Sequence, residues 1–200
     1  MLMRPIFACV VSTSLMAPVS AAAEWELSFY IGTQSAPHSD VEGEISDGMG
    51  GFTSFSDNVG WEGRPFETPP YYGIRATKWI NETTGWGVEL NHAKVYADDE
   101  SLAVLNAQAG ITDLEFTDGL NLVTVNYMRR FPDSLSGFLS NLTPYAGAGL
   151  GVAIPHVDVS NANSRTFEYQ LTGPAAVWMA GASYPISESF SGFVEYKGSY

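Results

Sequence analysis

From Glu24 onward the chain alternates: Trp25, Leu27, Phe29 and Ile31 are apolar, and Glu26, Ser28, Tyr30 and Gly32 between them are polar or small. A period of two marks a strand with one apolar and one polar face. The pattern recurs over about Tyr71–Ile80, Gly85–Asp98, Glu115–Phe131, a stretch rising from Thr143, Tyr169–Ile186 and Phe190–Tyr200, which makes seven expected strands. Thr33–Pro70, rich in Gly, Ser and Asp, reads as one long loop. Connections are long after the first, third and fifth strands and shorter after the second, fourth and sixth, as in an outer-membrane barrel with long external loops and short periplasmic turns. The expected fold is all-β, an up-and-down antiparallel outer-membrane β-barrel. Trp25, Trp79, Trp86 and Tyr184 fall near the short-turn ends, where an aromatic girdle belongs. Bacterial single-chain barrels have even strand numbers, so seven strands imply an eighth that is missing after Tyr200. A soluble sandwich or lipocalin-like barrel is the alternative.

Two changes in the alternation bear on the site. In the third strand the apolar set Trp86, Val88, Leu90 gives way to Ala93, Val95, Ala97. In the fifth, Leu150, Val152, Ile154 gives way to Val157, Val159. Each gap of three implies a one-residue bulge, near Asn91 and at Pro155. With His38 continuing the polar face of the first strand, His92 and His156 then point into the lumen beside it. Arg75 and Glu89, at similar depth on adjacent strands, are expected to pair inside. Gly147, Gly149 and Gly151 share the inner face and leave room for bulky neighbours such as Tyr30 or Trp79.

Composition adds a leader and a charge. Met1–Ala23 reads as a secretory signal: Arg4, then the mostly apolar Pro5–Met16, then the small residues Ser20–Ala23. Residues 24–200 form the barrel domain. The apolar run is too short for a membrane-spanning helix, and the one cysteine, Cys9, lies inside the leader, which leaves the remainder no disulfide or thiol chemistry. The chain has 9 basic and 22 acidic residues; without Arg4 the balance is 8 against 22, a net charge of −14, which argues against nucleic-acid binding.

The candidate chemistry is a repeated pentad, Pro37-His38-Ser39-Asp40-Val41 and Pro155-His156-Val157-Asp158-Val159. His-x-Asp on a strand puts both side chains on one face. Counted from the periplasmic ends, His38, Asp40, Asp98, Glu115, Asp118, His156 and Asp158 stand at one height, about 30 Å up a strand tilted 45°. His38, Asp40, His156 and Asp158 are candidate ligands for a divalent metal; imidazole with carboxylate suits iron or manganese, and carboxylates alone would suit calcium. His92, Glu115 and Asp118 are candidate proton carriers. The other reading makes all of these rim residues tied to neighbouring loops. No serine shares a strand face with a histidine, which disfavours a deacylase.

The segments APHSDV (36–41), PPYYGIRATKW (69–79), HAKVYAD (92–98), LEFTDGLN (114–121), PYAGAGLGVAIPHVDV (144–159) and EYQLTGPA (168–175) resemble the outer-membrane lipid A oxidase family of alphaproteobacteria. The resemblance implies an eight-stranded barrel in the bacterial outer membrane that oxidises the proximal glucosamine of lipid A to 2-aminogluconate, with molecular oxygen as co-substrate. An oxidase without flavin or haem motifs needs a redox centre, for which the His/Asp rim is the candidate. The expected partner is lipid A of the outer leaflet, met by a monomer. The competing class is a non-enzymatic barrel with a structural or surface-binding role.

Overall fold

The computed structural model describes residues 24–64, 68 and 70–200, apart from the side chain of Thr117, together with the backbone of Cys9–Met16. The expected cleavage after Ala23 lies outside the described residues. Cys9–Met16 is strand β1, followed by β2 (Glu24–Thr33), β3 (Ser39–Ser46), β4 (Phe52–Val59), β5 (Trp61–Glu62), β6 (Tyr72–Trp79) and β7 (Thr84–Ala97). Helix α1 (Asp99–Ala109) leads into β8 (Ile111–Arg130), β9 (Thr143–Ala153), β10 (His156–Asn161), β11 (Arg165–Tyr169), β12 (Gly173–Pro185) and β13 (Phe190–Ser199).

All described pairings are antiparallel. Neighbours run β8, β9, β12, β13, β1, β2, β6, β7, and β7 pairs again with β8, so the order of hydrogen-bonded strands returns to its start after eight. The position expected for a missing eighth strand is taken by Cys9–Met16, whose Val10, Val11 and Thr13 favour extended backbone. What the sequence presents as one loop, Thr33–Pro70, contains the β3–β4 hairpin, a separate two-stranded sheet.

The two faces of the main sheet differ. Trp25, Leu27, Phe29, Trp86, Val88, Val125, Leu150 and Val194 are open on one face. On the other, Arg75, Glu89, Glu195 and Lys197 are buried with Tyr30, Asn91 and Asn126. The expected pair is present, Arg75 Nη1 to Glu89 at 3.6 Å, but a shorter contact joins Arg75 Nη2 to Glu195 at 2.7 Å. Lys197 bonds Glu89 and Tyr30, and Tyr145 donates to Glu195. Two cations and two carboxylates therefore neutralise each other, the condition under which charges are tolerated inside. The glycines do leave room, although for other neighbours: a Cβ at Gly147 would meet Met128, and one at Gly149 the Asn126 amide.

A second core sits beyond Asn91. Ile45, Phe55 and Val59 of the hairpin, Leu105 of α1, and Ala97, Ile111, Leu114 and Val159 of the main sheet pack together. Asp98 caps α1 by accepting the Ser101 N–H at 2.8 Å, and Gly110 ends the helix in the left-handed region.

Candidate functional site

The second core corrects the expected facing of the histidines. Asn91 donates to Tyr30 and Tyr71 in the interior, and Ala93 belongs to the same interior cluster. Alternation thus runs through β7 without a slip, and His92, Lys94 and Tyr96 lie on the outer face. The same holds at Pro155: Val157 and Val159 pack toward the second core, so His156 and Asp158 face outward. The apolar positions change face because the surroundings change. Up to Leu90 the apolar side chains are the exposed ones; above it, the hairpin and α1 supply an apolar core on the inner face.

The actual irregularity is in β8. Ala93 pairs with Leu120 and Val95 with Phe116, so two steps along β7 correspond to four along β8. An excess of two residues preserves the alternation on both sides, which a one-residue bulge would reverse. Gly119 carries the turn at φ +103, and a Cβ there would overlap Nδ1 of His92.

That turn builds the site. Asn121 Nδ2 donates to the carbonyls of Asp118, Gly119 and Ile154, so its Oδ1 is the acceptor turned toward His92 Nδ1 at 2.9 Å. His92 must therefore hold its proton on Nδ1, and Nε2 carries the lone pair. The ring stacks on Tyr72 with centroids 4.8 Å apart, is only 4 % exposed, and Nε2 has no hydrogen-bond partner among the described residues. Asp118, whose side chain is 48 % exposed, lies electrostatically close to His92 and 3.7 Å from Nδ1 of His156. His156 is itself 4 % exposed under the edges of Phe167 and Tyr169, and its Nδ1 makes no hydrogen bond among the described residues.

The other expected site residues are dispersed. Asp158 is held by both nitrogens of a fork from Arg165, at 2.8 and 2.6 Å, and that carboxylate raises the pKa of the guanidinium. Glu115 pairs across the sheet with Asp158 and Tyr96. Asp40 accepts from Asn58 at 2.6 Å on the exposed hairpin. His38 lies near Asp98, whose carboxyl is held below its ordinary pKa first by the Ser101 N–H, then by the Ser101 hydroxyl, with His38 adding to the effect. The metal set His38, Asp40, His156 and Asp158 is thus split among three places. Among the described residues no group of three or more His, Cys, Asp or Glu side chains converges to hold a metal ion. The expected proton carriers fare differently, because His92 and Asp118 come together. Asn121 is the amide of the LEFTDGLN segment (114–121), whose two carboxylates and amide suggest a general base or sugar hydrogen bonds from the sequence alone; Tyr72 and Arg165 carry no such signal.

No known protein family, curated protein or solved structure matches this chain.

Proposed function

We propose that the chain is an eight-stranded outer-membrane β-barrel that keeps Cys9–Met16 as a strand rather than losing it with a cleaved leader, and that its rim, in a monomer, oxidises the proximal glucosamine of lipid A to 2-aminogluconate with molecular oxygen. The observation that carries this reading is a buried imidazole nitrogen, Nε2 of His92, unpartnered among the described residues and on the outer face just above the exposed apolar band. An apolar exterior around paired interior charges, with every strand edge in the ring hydrogen-bonded, is what a hydrocarbon solvent requires. Polar groups directly above such a band face the headgroups of the same leaflet. The sequence resemblance supports lipid A as the lipid and oxidation as the reaction.

In this reading the substrate is the ring-closed reducing-end sugar bearing a free C1 hydroxyl. His92 Nε2, which neighbouring side chains cover, accepts the hydroxyl proton once the sugar displaces that cover. The C1 hydrogen departs with its electron pair, dioxygen is reduced to hydrogen peroxide, and water opens the resulting lactone to the acid. The sugar gains one oxygen atom. Asp118, open to solvent on one side, accepts a hydrogen bond from a neighbouring hydroxyl, and Glu115 lies further along the same strand. The two-electron transfer to dioxygen needs a redox centre; His38, Asp40, His156 and Asp158 do not converge to hold one, so it would have to be held at the rim by other groups.

One observation favours the non-enzymatic reading: Asp158 is fully engaged by Arg165, as a purely structural rim carboxylate would be. The deciding experiment is a His92→Gln variant assayed by mass spectrometry on lipid A lacking the 1-phosphate. The oxidase reading requires an oxygen-dependent gain of one oxygen atom in the parent and its loss in the variant, with assembly verified by heat-modifiable gel mobility. A parent that assembles and leaves lipid A unchanged supports the structural reading.

A further inference from the structure

Outside His156 the sheet ends in β11, and one side of that strand is unusually apolar for a surface. Phe167 is 53 % exposed, Tyr169 61 % and Leu171 72 %. The segment is pinned to the top of β9, with Gln170 N–H donating to Pro155 O at 2.9 Å and Thr172 N–H to Ala153 O at 3.1 Å. Leu171 therefore stands one step above the open band at Leu150 and Val152, and Tyr169 and Phe167 continue upward from it. The apolar surface of the band does not stop at the rim but climbs this one hairpin, alongside the histidine and carboxylate pair.

Each ring has an edge-on contact with His156, at centroid distances of 4.3 Å for Phe167 and 4.6 Å for Tyr169. Such contacts fix the ring planes; the Arg165 guanidinium lies over the ring of Phe167 at 4.4 Å from its centroid, so the open aromatic face is chiefly that of Tyr169. Aromatic surface beside carboxylates suits a hydroxylated sugar, whose C–H face packs on a ring while its hydroxyls donate to acidic oxygens. Asp118 stands beside the platform, 3.7 Å from Nδ1 of His156, whereas Glu168 lies on the opposite face of β11, where it accepts from Gln170. Directly beneath it is His156 Nδ1, buried and without a hydrogen bond among the described residues. We propose that Phe167 and Tyr169 are the platform on which the headgroup sugar of a membrane-embedded glycolipid lies, with Leu171 against the start of its acyl chain. The occupant is a lipid because the platform is continuous with the lipid-facing band, and its headgroup is a sugar because the half-exposed Asp118 carboxylate beside an open aromatic ring can accept from its hydroxyls. This inference rests on the rim reading above and adds the residues that bind the substrate.

The test uses the whole chain in detergent micelles. The Phe167→Ala/Tyr169→Ala double variant is expected to raise KM for lipid A lacking the 1-phosphate by about tenfold, with kcat changed by less than about threefold, since a stacking contact is worth roughly one factor of ten. A Tyr169→Trp variant should restore KM, and its added indole emission should shift with that lipid A but not with vesicles of phosphatidylethanolamine alone. If the parent oxidises lipid A and the double variant keeps its KM, the platform is wrong while the oxidase stands. If the parent does not oxidise, an emission shift specific to lipid A keeps the platform and removes the oxidase. An emission that responds to both lipids alike, or to neither, overturns the platform.

Discussion

Asn121 Oδ1 lies 2.9 Å from Nδ1 of His92, and the amide cannot turn over because its nitrogen is committed to the carbonyls of Asp118, Gly119 and Ile154. One side chain thereby fixes the tautomer of the histidine and ties it to the turn that carries Asp118. Substituting Asn121 by Ala should lower kcat for lipid A oxidation by about a hundredfold, the cost of a reacting group misplaced by about an ångström. KM should hardly move. Steady-state kinetics on the assembled protein would show it, and an equal effect on KM would assign Asn121 to binding instead.

Gly119→Ala tests the same turn from the backbone. At φ +103, with His92 Nδ1 where the new methyl would go, the ring must shift. We expect a loss of about 1–3 kcal/mol in urea unfolding, with activity reduced further than Asn121→Ala reduces it. Unchanged stability and activity would mean that the turn is not built as described.

His38 and His156 separate the rim site from the metal set expected from the sequence. Since His38 stands beside Asp98 and away from Asp118, His38→Ala should leave oxidation within about twofold of the parent, a change near the error of such an assay. His156→Ala should lower it by more than about tenfold. Equal and complete losses would restore a shared site.

Most of the strands were legible because period two survives wherever one face is apolar. Glu24–Thr33, Tyr72–Trp79 and Phe190–Ser199 begin and end within about two residues of where alternation places them. The β3–β4 hairpin was not legible. Its Asp40, Glu42, Glu44 and Asp57 are mostly solvent-facing, and its contribution to the second core is a few residues such as Ile45 and Phe55, too sparse to stand out among glycines and serines. That omission propagated to the site. Without an apolar core above Leu90, the shift from Leu90 to Ala93 looks like a bulge, and His92 is turned to the wrong face. Alternation reports which face is apolar, and only the second core says where that face is. The pairing of His92 with Asp118 needed the two extra residues of β8, which no periodicity announces because an even insertion leaves the alternation intact.

Inside the ring, Lys197 supports both Glu89 and Glu195. Lys197→Met leaves a buried carboxylate uncompensated and should destabilise the protein by about 3–5 kcal/mol. Combining it with Glu89→Gln should recover most of that loss, because Arg75 and Glu195 still pair at 2.7 Å. Urea titrations in one detergent would measure both, and additive losses would contradict a neutralised quartet.

The Asp98 cap sets a pH dependence. Its carboxyl is depressed in the folded chain by the Ser101 bonds, so its contribution is complete above the ordinary aspartate value of about 3.9 and disappears as pH falls through the lower folded value. α1 should therefore loosen below about pH 4 and not near neutrality. Asp98→Ala should cost about 1 kcal/mol at neutral pH and flatten that acid response. Amide exchange over Asp99–Ala109 from pH 3 to pH 7 is the measurement.

The central claim is that this rim oxidises lipid A. The chain should be expressed in bacteria whose lipid A lacks the 1-phosphate, and lipid A masses recorded with and without oxygen. An oxygen-dependent gain of one oxygen atom on the proximal sugar, absent in His92→Gln, is the expected result. Unaltered lipid A in cells where the barrel is shown to be assembled in the outer membrane would contradict it.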